Sequence, residues 1–391
     1  MRIIVLTSRF PFPLDKGDKL RAFHHIKQLS KLNEVHLISI SDKNVTNKQI
    51  KELEKYCLSV NVFKLKKWKI YINLFFGFFS NKPFQIKYFY QRAIHQKIKK
   101  LINKISPDHI FCQLIRCVPY VQHEHHYSKT LDYMDAFSKG IERRIENGGW
   151  MKQLLKIEAI RLVKYENLAF EYFDHHCIIS ENDRSFIFHE KKETIKIITN
   201  GIDYDFFEPK EIEKKYDLVF IGNLSYAPNV DAALFIANEL LPKLIKINSE
   251  IKILINGANP ANQLLKLKNT NLDIVGWTND IRESYLSAKI FLAPMRIGTG
   301  LQNKLLEAMA LNIPCITSEL ANQALKAKHG HQILIGKNPD EYIEHISNLL
   351  IDEQLRLKIG KEGRKYINGT FNWETTSKEL QELMFSQQNT L

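Results

Sequence analysis

Cysteine is scarce in this chain. The five residues, Cys57, Cys112, Cys117, Cys177 and Cys315, are odd in number and show neither CxxC nor Cys/His ligand spacing. That excludes a disulfide framework and a structural zinc site, and it points to a reduced compartment. Long apolar runs are absent too. The opening MRIIVLTSRFPFP holds only four consecutive apolar residues, too few for a signal peptide, and FFGFF further on is far short of the roughly 20 residues a membrane span requires. A cytoplasmic protein is expected. No GxGxxG follows the first apolar run, which excludes a nicotinamide or flavin site there. No repeat or low-complexity linker interrupts the chain. Acid is missing from residues 64–104, where eleven Lys and Arg meet no Asp or Glu.

What is present is enough for two domains of ordinary size: 391 residues with 44% hydrophobic content. The net charge of +13 is unevenly placed, with +15 on residues 1–200 and −2 on the remainder. A basic first half suits an anionic bilayer, a nucleic acid or an acidic substrate. In 64–104 lysines alternate with Trp68, Tyr71, Phe75, Phe76, Phe78 and Phe79. Two readings are open for this strip, an interfacial element resting on anionic lipid and a buried helix pair with solvated lysines.

Apolar runs with strand character alternate with helical patterns throughout. IIVLT, EVHLISI, DHIFCQLI and the run ending at LDYMD form a first series; DLVFIGN, EIKILINGANP, LDIVGW, KIFLAPM and PCITS form a second. Such alternation predicts α/β architecture with parallel, doubly wound sheets. Asp132 and Asp135 then fall at a strand end, where open α/β sheets bind ligands; as loop aspartates they are also ordinary helix caps. DKGDKLR places Gly17 near a helix start beside Lys19 and Arg21, with Asp18 as the expected cap. His175 and His176 are neighbours in a strand and point to opposite faces, which favours structural roles over a shared metal.

The chemistry concentrates in 294–318, PMRIGTGLQNKLLEAMALNIPCITS. Gly298 and Gly300 permit a tight turn around Thr299, and Leu305, Leu306, Met309 and Ala310 keep helical spacing, so a helix is predicted from about Leu301. The first N–H groups, of Leu301, Gln302 and Asn303, lack partners within the helix and make an anion site, most plausibly for phosphate. Arg296 and Lys304 add positive charge. Glu307 lies one turn deeper on the face of Asn303 and Lys304, placed to accept from neutral hydroxyls such as those of a ribose. Taken alone, Lys304 and Glu307 would be an ordinary exposed helix pair.

This stretch resembles the donor-site signature of retaining GT-B glycosyltransferases, the glycogen-synthase-like group among the glycosyl transferases group 1. LDYMDAFS, around Asp132 and Asp135, is similar to an acceptor-domain segment of related enzymes, and NGID at 200–203 to the segment ending their first domain. The resemblance implies two Rossmann-like domains facing each other across a cleft: an acceptor-binding domain over 1–205, a nucleotide-sugar domain over 206–370, and a last helix within 371–391 packing back on the first. It also implies that Glu307 binds the ribose, that the helix holds the diphosphate, and that Gly17 approaches the donor phosphate. Gly222 opens the first loop of the second domain, with Asn223 where the family often has a phosphate-binding Arg. The family's second Glu, bonded to the donor sugar, is Thr299 here, and its loop glycine is Asn312.

The implied reaction is glycosyl transfer from a nucleotide-diphosphate sugar to a glycan or lipid-linked acceptor in cell-surface polysaccharide synthesis. No further cofactor is implied. Two routes are open for the acceptor's hydroxyl proton, to the leaving phosphate or to Asp135. Asp203-Tyr204-Asp205 matches the metal-binding DxD of the other glycosyltransferase fold, but a helix N-terminus with Arg296 and Lys304 already opposes the diphosphate charge, so no metal is expected. Two alternatives are a sugar-nucleotide epimerase of the same fold, which needs a carboxylate pair or His to move a ring proton, and a non-catalytic basic binding module. The aromatics fit no RNA-binding pattern, so nucleic acid is not the expected partner.

Overall fold

The computed structural model describes residues 1–146, 152–297 and 300–386. The chain divides into two compact units, one made of Met1–Thr199 with the segment from Trp373 on, the other of Asn200–Asn372. No helix among the described residues is long and apolar enough to cross a membrane.

The first unit is built on a sheet of seven parallel strands, β1 (Arg2–Thr7), β2 (Glu34–Ser41), β3 (Ser59–Lys64), β4 (His109–Gln113), β5 (Ser128–Asp132), β6 (His175–Ile178) and β7 (Lys196–Ile197), in the order β3-β2-β1-β4-β5-β6-β7. Ile3, Ile4, Val5 and Leu6 are all buried, which is why β1 reads as a continuous apolar run: helices cover both faces of a parallel sheet. The helix Gly17–Leu29 buries Ala22, Ile26 and Leu29 together with Arg21, His24 and His25. Its polar buried face is used by the last helix, Trp373–Phe385. There the Trp373 ring stacks on His24 at 4.8 Å and meets the edge of His25 at 5.4 Å, while His25 Nδ1 bonds Ser377 Oγ at 2.9 Å.

The second unit has six parallel strands, β8 (Tyr216–Ile221), β9 (Ile253–Asn256), β10 (Leu272–Val275), β11 (Ala288–Ala293), β12 (Cys315–Thr317) and β13 (Leu334–Ile335), ordered β10-β9-β8-β11-β12-β13. Its limits lie at 199/200 and 372/373 rather than at 205/206 and 370/371. The reason is local pairing: the Ile202 amide donates to the Phe371 carbonyl at 3.0 Å, Ile202 bridges Asn372, and the side chains of Ile202 and Phe207 join the second core. NGID therefore opens the second unit.

The strip 64–104 forms three helices, Lys67–Gly77, Phe84–Phe89 and Arg92–Ile105. The third is buried along Ile94, Ile98 and Ile102. The first is not a buried helix: only Ile70 and Gly77 are buried, while Trp68, Tyr71, Phe75, Phe76, Phe78 and Phe79 are all more than half exposed.

Trp373 is 3% exposed. Replacing such a ring leaves a cavity that costs about 3–5 kcal/mol. Trp373→Ala is therefore expected to bring forward the urea unfolding transition of the first unit; an unchanged midpoint would show that the last helix adds little to that unit.

Candidate active site

In the second sheet the strand order reverses between β8 and β11. Connections from these two strands leave over opposite faces, and the crevice beyond their carboxyl ends is where open α/β sheets bind ligands. Two glycines shape it. A Cβ on Gly222 would meet the Asn229 side chain at 2.7 Å, and one on Gly257 would stand 1.6 Å from the Gly222 carbonyl oxygen. The loops after β8 and β9 thus touch backbone to backbone, which no other residue type permits.

Asn229, in the first turn of the helix Ala227–Phe235, ties this corner together. Its amide donates to the Asn223 carbonyl at 3.0 Å, and its Oδ1 accepts from Lys304 Nζ. Asn223 folds its own side chain back onto Ser225. The Lys304 ammonium also lies 3.8 Å from Met295 Sδ and 4.8 Å from the Phe220 ring centre. Stripped of water, it is drawn down to about 7, against the pull of Glu307.

The helix carrying Lys304 runs Asn303–Ala310, two residues later than the spacing suggested. Gly300 turns through the left-handed region at φ 86°, and Gln302 is still extended at φ −87°, ψ 98°. The leading N–H groups are therefore those of Asn303 and Lys304, with Leu301 and Gln302 in the approach. Among the described residues no side chain caps this end, and Asn303 Oδ1 is buried without a partner. The next helix, by contrast, is capped by Ser318. An uncapped end beside a half-buried lysine suits an anion. Gly298 and Thr299 lie outside the described residues. At the far end Asn312 takes φ 58°, the left-handed turn that asparagine tolerates in place of glycine.

Glu307 and Lys304 do not form an exposed pair. Glu307 Oε2 accepts from the Tyr285 hydroxyl at 2.7 Å, and Oε1 has no partner among the described residues. Burial pushes the carboxyl up to about 7, with Tyr285 and Lys304 opposing.

Three expected roles need correction. Arg296 is engaged elsewhere: its guanidinium forks onto Asp231 at 2.8 and 3.1 Å, reaches Glu239 at 3.0 Å, and stacks on Phe235. Those carboxylates already balance its charge, so Lys304 is the cation beside the helix start. Asp132 is fully buried and bound by Arg21, Nε to Oδ2 at 2.7 Å and Nη2 to Oδ1 at 3.2 Å. It is a core ion pair with no access to substrate. Asp18 does not cap the first helix, because Lys16 occupies the cap position and Asp18 instead accepts from Arg9 at 2.7 Å.

Asp135 stands in the first unit, just past β5, among the residues that line a groove. Asp135 is exposed at the surface yet closely surrounded by protein, and this partial loss of water, then the like charge of Asp183, push its carboxyl up against the pull of Arg116. Gly17 is the first residue of its helix, and a Cβ there would lie 3.1 Å from the Met134 methyl. His176 stacks on Phe170 at 3.8 Å, while His175 faces His109. Asn229 and Tyr285 were not foreseen. Each is an ordinary residue near a helix start or on a helix face, and only the fold brings them to Lys304 and Glu307.

Residues 215–352 match the family described as Glycosyl transferases group 1. The solved structure of HepE from Anabaena in complex with UDP superposes with a TM-score of 0.68 at 13% identity, covering 98% of this chain and 99% of that one. This chain is a glycosyltransferase of the GT-B fold. An uncharacterized 44.6 kDa protein in the cps region of Klebsiella pneumoniae is 25% identical to the glycosyltransferase over 370 residues, 89% of this chain and 90% of that protein. The capsular polysaccharide biosynthesis glycosyltransferase CapM of Staphylococcus aureus is 24% identical over 200 residues, 47% of this chain and 52% of its own.

In this glycosyltransferase Asp132→Asn leaves the Arg21 guanidinium buried without its counter-charge. Loss of one partner of such a pair costs about 3–5 kcal/mol. The variant should lose that stability in urea titration, whereas a change confined to kcat at full stability would return Asp132 to the chemistry.

Proposed function

We propose that this glycosyltransferase moves a sugar, with retention at its anomeric carbon, from a nucleotide-diphosphate sugar to a glycan or lipid-linked acceptor in cell-surface polysaccharide synthesis. One observation carries the donor half of this reading. The uncapped start of Asn303–Ala310, the half-buried Lys304 and the anchored Glu307 lie within two turns of one helix, at the switch point of the second sheet. The diphosphate takes the helix N–H groups and Lys304. The ribose hydroxyls take the open oxygen of Glu307, and Tyr285 holds that carboxyl in place. Negative charge builds on the departing diphosphate as the glycosidic bond breaks, so donors already aimed there stabilise the transition state. In the first unit Asp135 orients the acceptor hydroxyl, and with retention, as the acceptor oxygen bonds to the anomeric carbon on the face the diphosphate leaves, the hydroxyl's proton passes to the departing phosphate oxygen. The protein named for the cps region and CapM support the polysaccharide setting. The aromatic, lysine-flanked helix Lys67–Gly77 supports a position on the inner face of an anionic bilayer.

A thermal-shift screen of UDP-, GDP-, ADP- and TDP-sugars tests the reading, since a ligand at 100 times its Kd stabilises by about 2.7 kcal/mol. Against the best nucleotide, Glu307→Gln should weaken affinity roughly tenfold, the difference between a charge-assisted and a neutral hydrogen bond. Unchanged affinity by calorimetry would make Glu307 a structural partner of Tyr285 only.

Lys304 and the helix start leave a divalent ion no necessary task. Turnover should therefore persist in EDTA. Loss of turnover on chelation, with recovery on adding Mn²⁺ or Mg²⁺, would overturn metal independence.

A further inference from the structure

The exposed aromatic helix of the first unit is one wall of a groove. Leu74 and Phe78 face a space of about 530 Å³ that Phe84, Phe137, Ile141 and Leu155 close on the other sides, within the roughly 300–1,000 Å³ typical of small-ligand sites. Four polar side chains, Gln85, Arg116, Asp135 and Glu158, interrupt this apolar lining. Asp135 stands just past β5 and Arg116 just past β4. Arg161 fixes the aromatic helix over this space by donating to the Gly77 carbonyl at 2.9 Å.

Arg116 is a cation in search of an anion. Its guanidinium lies 5.0 Å from the Phe89 ring centre and 4.6 Å from that of Phe137, and its Nε donates to Gln85 Oε1 at 3.1 Å. Among the described residues no carboxylate pairs with it. The nearby Glu158 is committed, accepting from the amides of Phe84 and Gln85 at 2.7 and 3.0 Å. Asp135 and Asp18 act on it only at a distance, and a weakly solvated guanidinium with no carboxylate bonded to it suits a phosphate, which accepts a forked pair of N–H bonds.

The same helix that lends Leu74 to the groove turns other apolar side chains outward. Phe75 contacts Phe76 at 5.6 Å and Phe79 at 6.0 Å, and with Trp68, Tyr71 and Ile72 they form one exposed apolar face. Lys66, Lys67, Lys69 and Lys82 flank it. A patch of this kind marks an interaction site, and lysines beside aromatics match an anionic bilayer.

We infer that this groove binds the acceptor, and that the acceptor is a phosphate-bearing amphiphile. Its apolar chain runs from the bilayer past Leu74 and Phe78, its phosphate meets Arg116, and its accepting hydroxyl meets Asp135. The inference rests on the acceptor reading proposed above and narrows it from glycans in general to lipid-phosphate-linked ones.

The test uses undecyl phosphate, undecanol and inorganic phosphate as probes below their aggregation limits, with the full-length protein. Undecyl phosphate should bind at least tenfold more tightly than either other probe. Arg116→Gln should remove at least tenfold of that affinity and Arg116→Lys much less. Gly140 lines the groove, and a Cβ added there meets nothing within 4 Å, so Gly140→Phe has open space at its root for a ring directed at the groove, and its urea midpoint is measured alongside to confirm an intact fold. It too should lose undecyl phosphate. Nucleotide affinity, which belongs to the second unit, is measured on the same variants and should not change. A donor site that fails leaves the groove result standing, and the reverse holds. Equal binding of undecanol and undecyl phosphate, or full affinity in Gly140→Phe, overturns the inference. So does transfer to a water-soluble glycan with unchanged kcat/KM in Gly140→Phe.

Discussion

All strand pairs in both sheets are parallel, and this constraint governs the rest. Parallel neighbours cannot be joined by a hairpin, so each connection climbs over a face and returns right-handed. Where strand order reverses, successive connections leave to opposite faces and no segment lies over the gap. That gap falls between β8 and β11 in the second unit and between β1 and β4 in the first. In the second unit it brings the Gly222 loop and the Asn303–Ala310 helix together although 80 residues separate them.

The placement of charge follows from a second physical rule, that a buried ion must find a partner. Arg21 and Arg296 look equally free on paper, and both are satisfied by carboxylates from distant elements, Asp132 for the first and Asp231 with Glu239 for the second. Lys304 and Arg116 are the contrasting cases. Lys304 is held by an amide, a thioether and a ring face, and Arg116 by an amide and two rings. Neutral partners position a cation without cancelling its charge. Loss of surrounding water draws both below their ordinary values, Lys304 to about 7 and Arg116, with the like charge of Arg9, to about 10, and an incoming anion regains what that desolvation took away.

The aromatic helix Lys67–Gly77 departs from the rule that large apolar side chains turn inward. Its neighbours obey that rule: Ile86, Phe89, Ile94, Ile98 and Ile102 are all buried. An apolar face kept outward next to an inward groove joins two properties that a soluble acceptor does not require. An acceptor anchored in lipid requires both.

Much of this was legible in the residues. Continuous apolar runs spaced by helical patterns dictate two parallel sheets, since only strands covered on both faces are apolar on both. The glycine turn and the helix behind it dictate an anion site near 300, because unpaired N–H groups belong to any helix start. Asn312 announces a left-handed turn by its own side chain. What the residues left open was decided at long range. Whether Asp132 or Asp135 faces a ligand depends on Arg21, 111 positions away from Asp132. Whether Arg296 or Lys304 remains available depends on Asp231 and Asn229, two positions apart on one helix. Whether the strip 64–104 turns its aromatics in or out depends on how much core the rest of the unit has already filled. Local periodicity fixes which elements form; which charges cancel and which apolar faces stay uncovered is settled only when distant segments compete for the same partner.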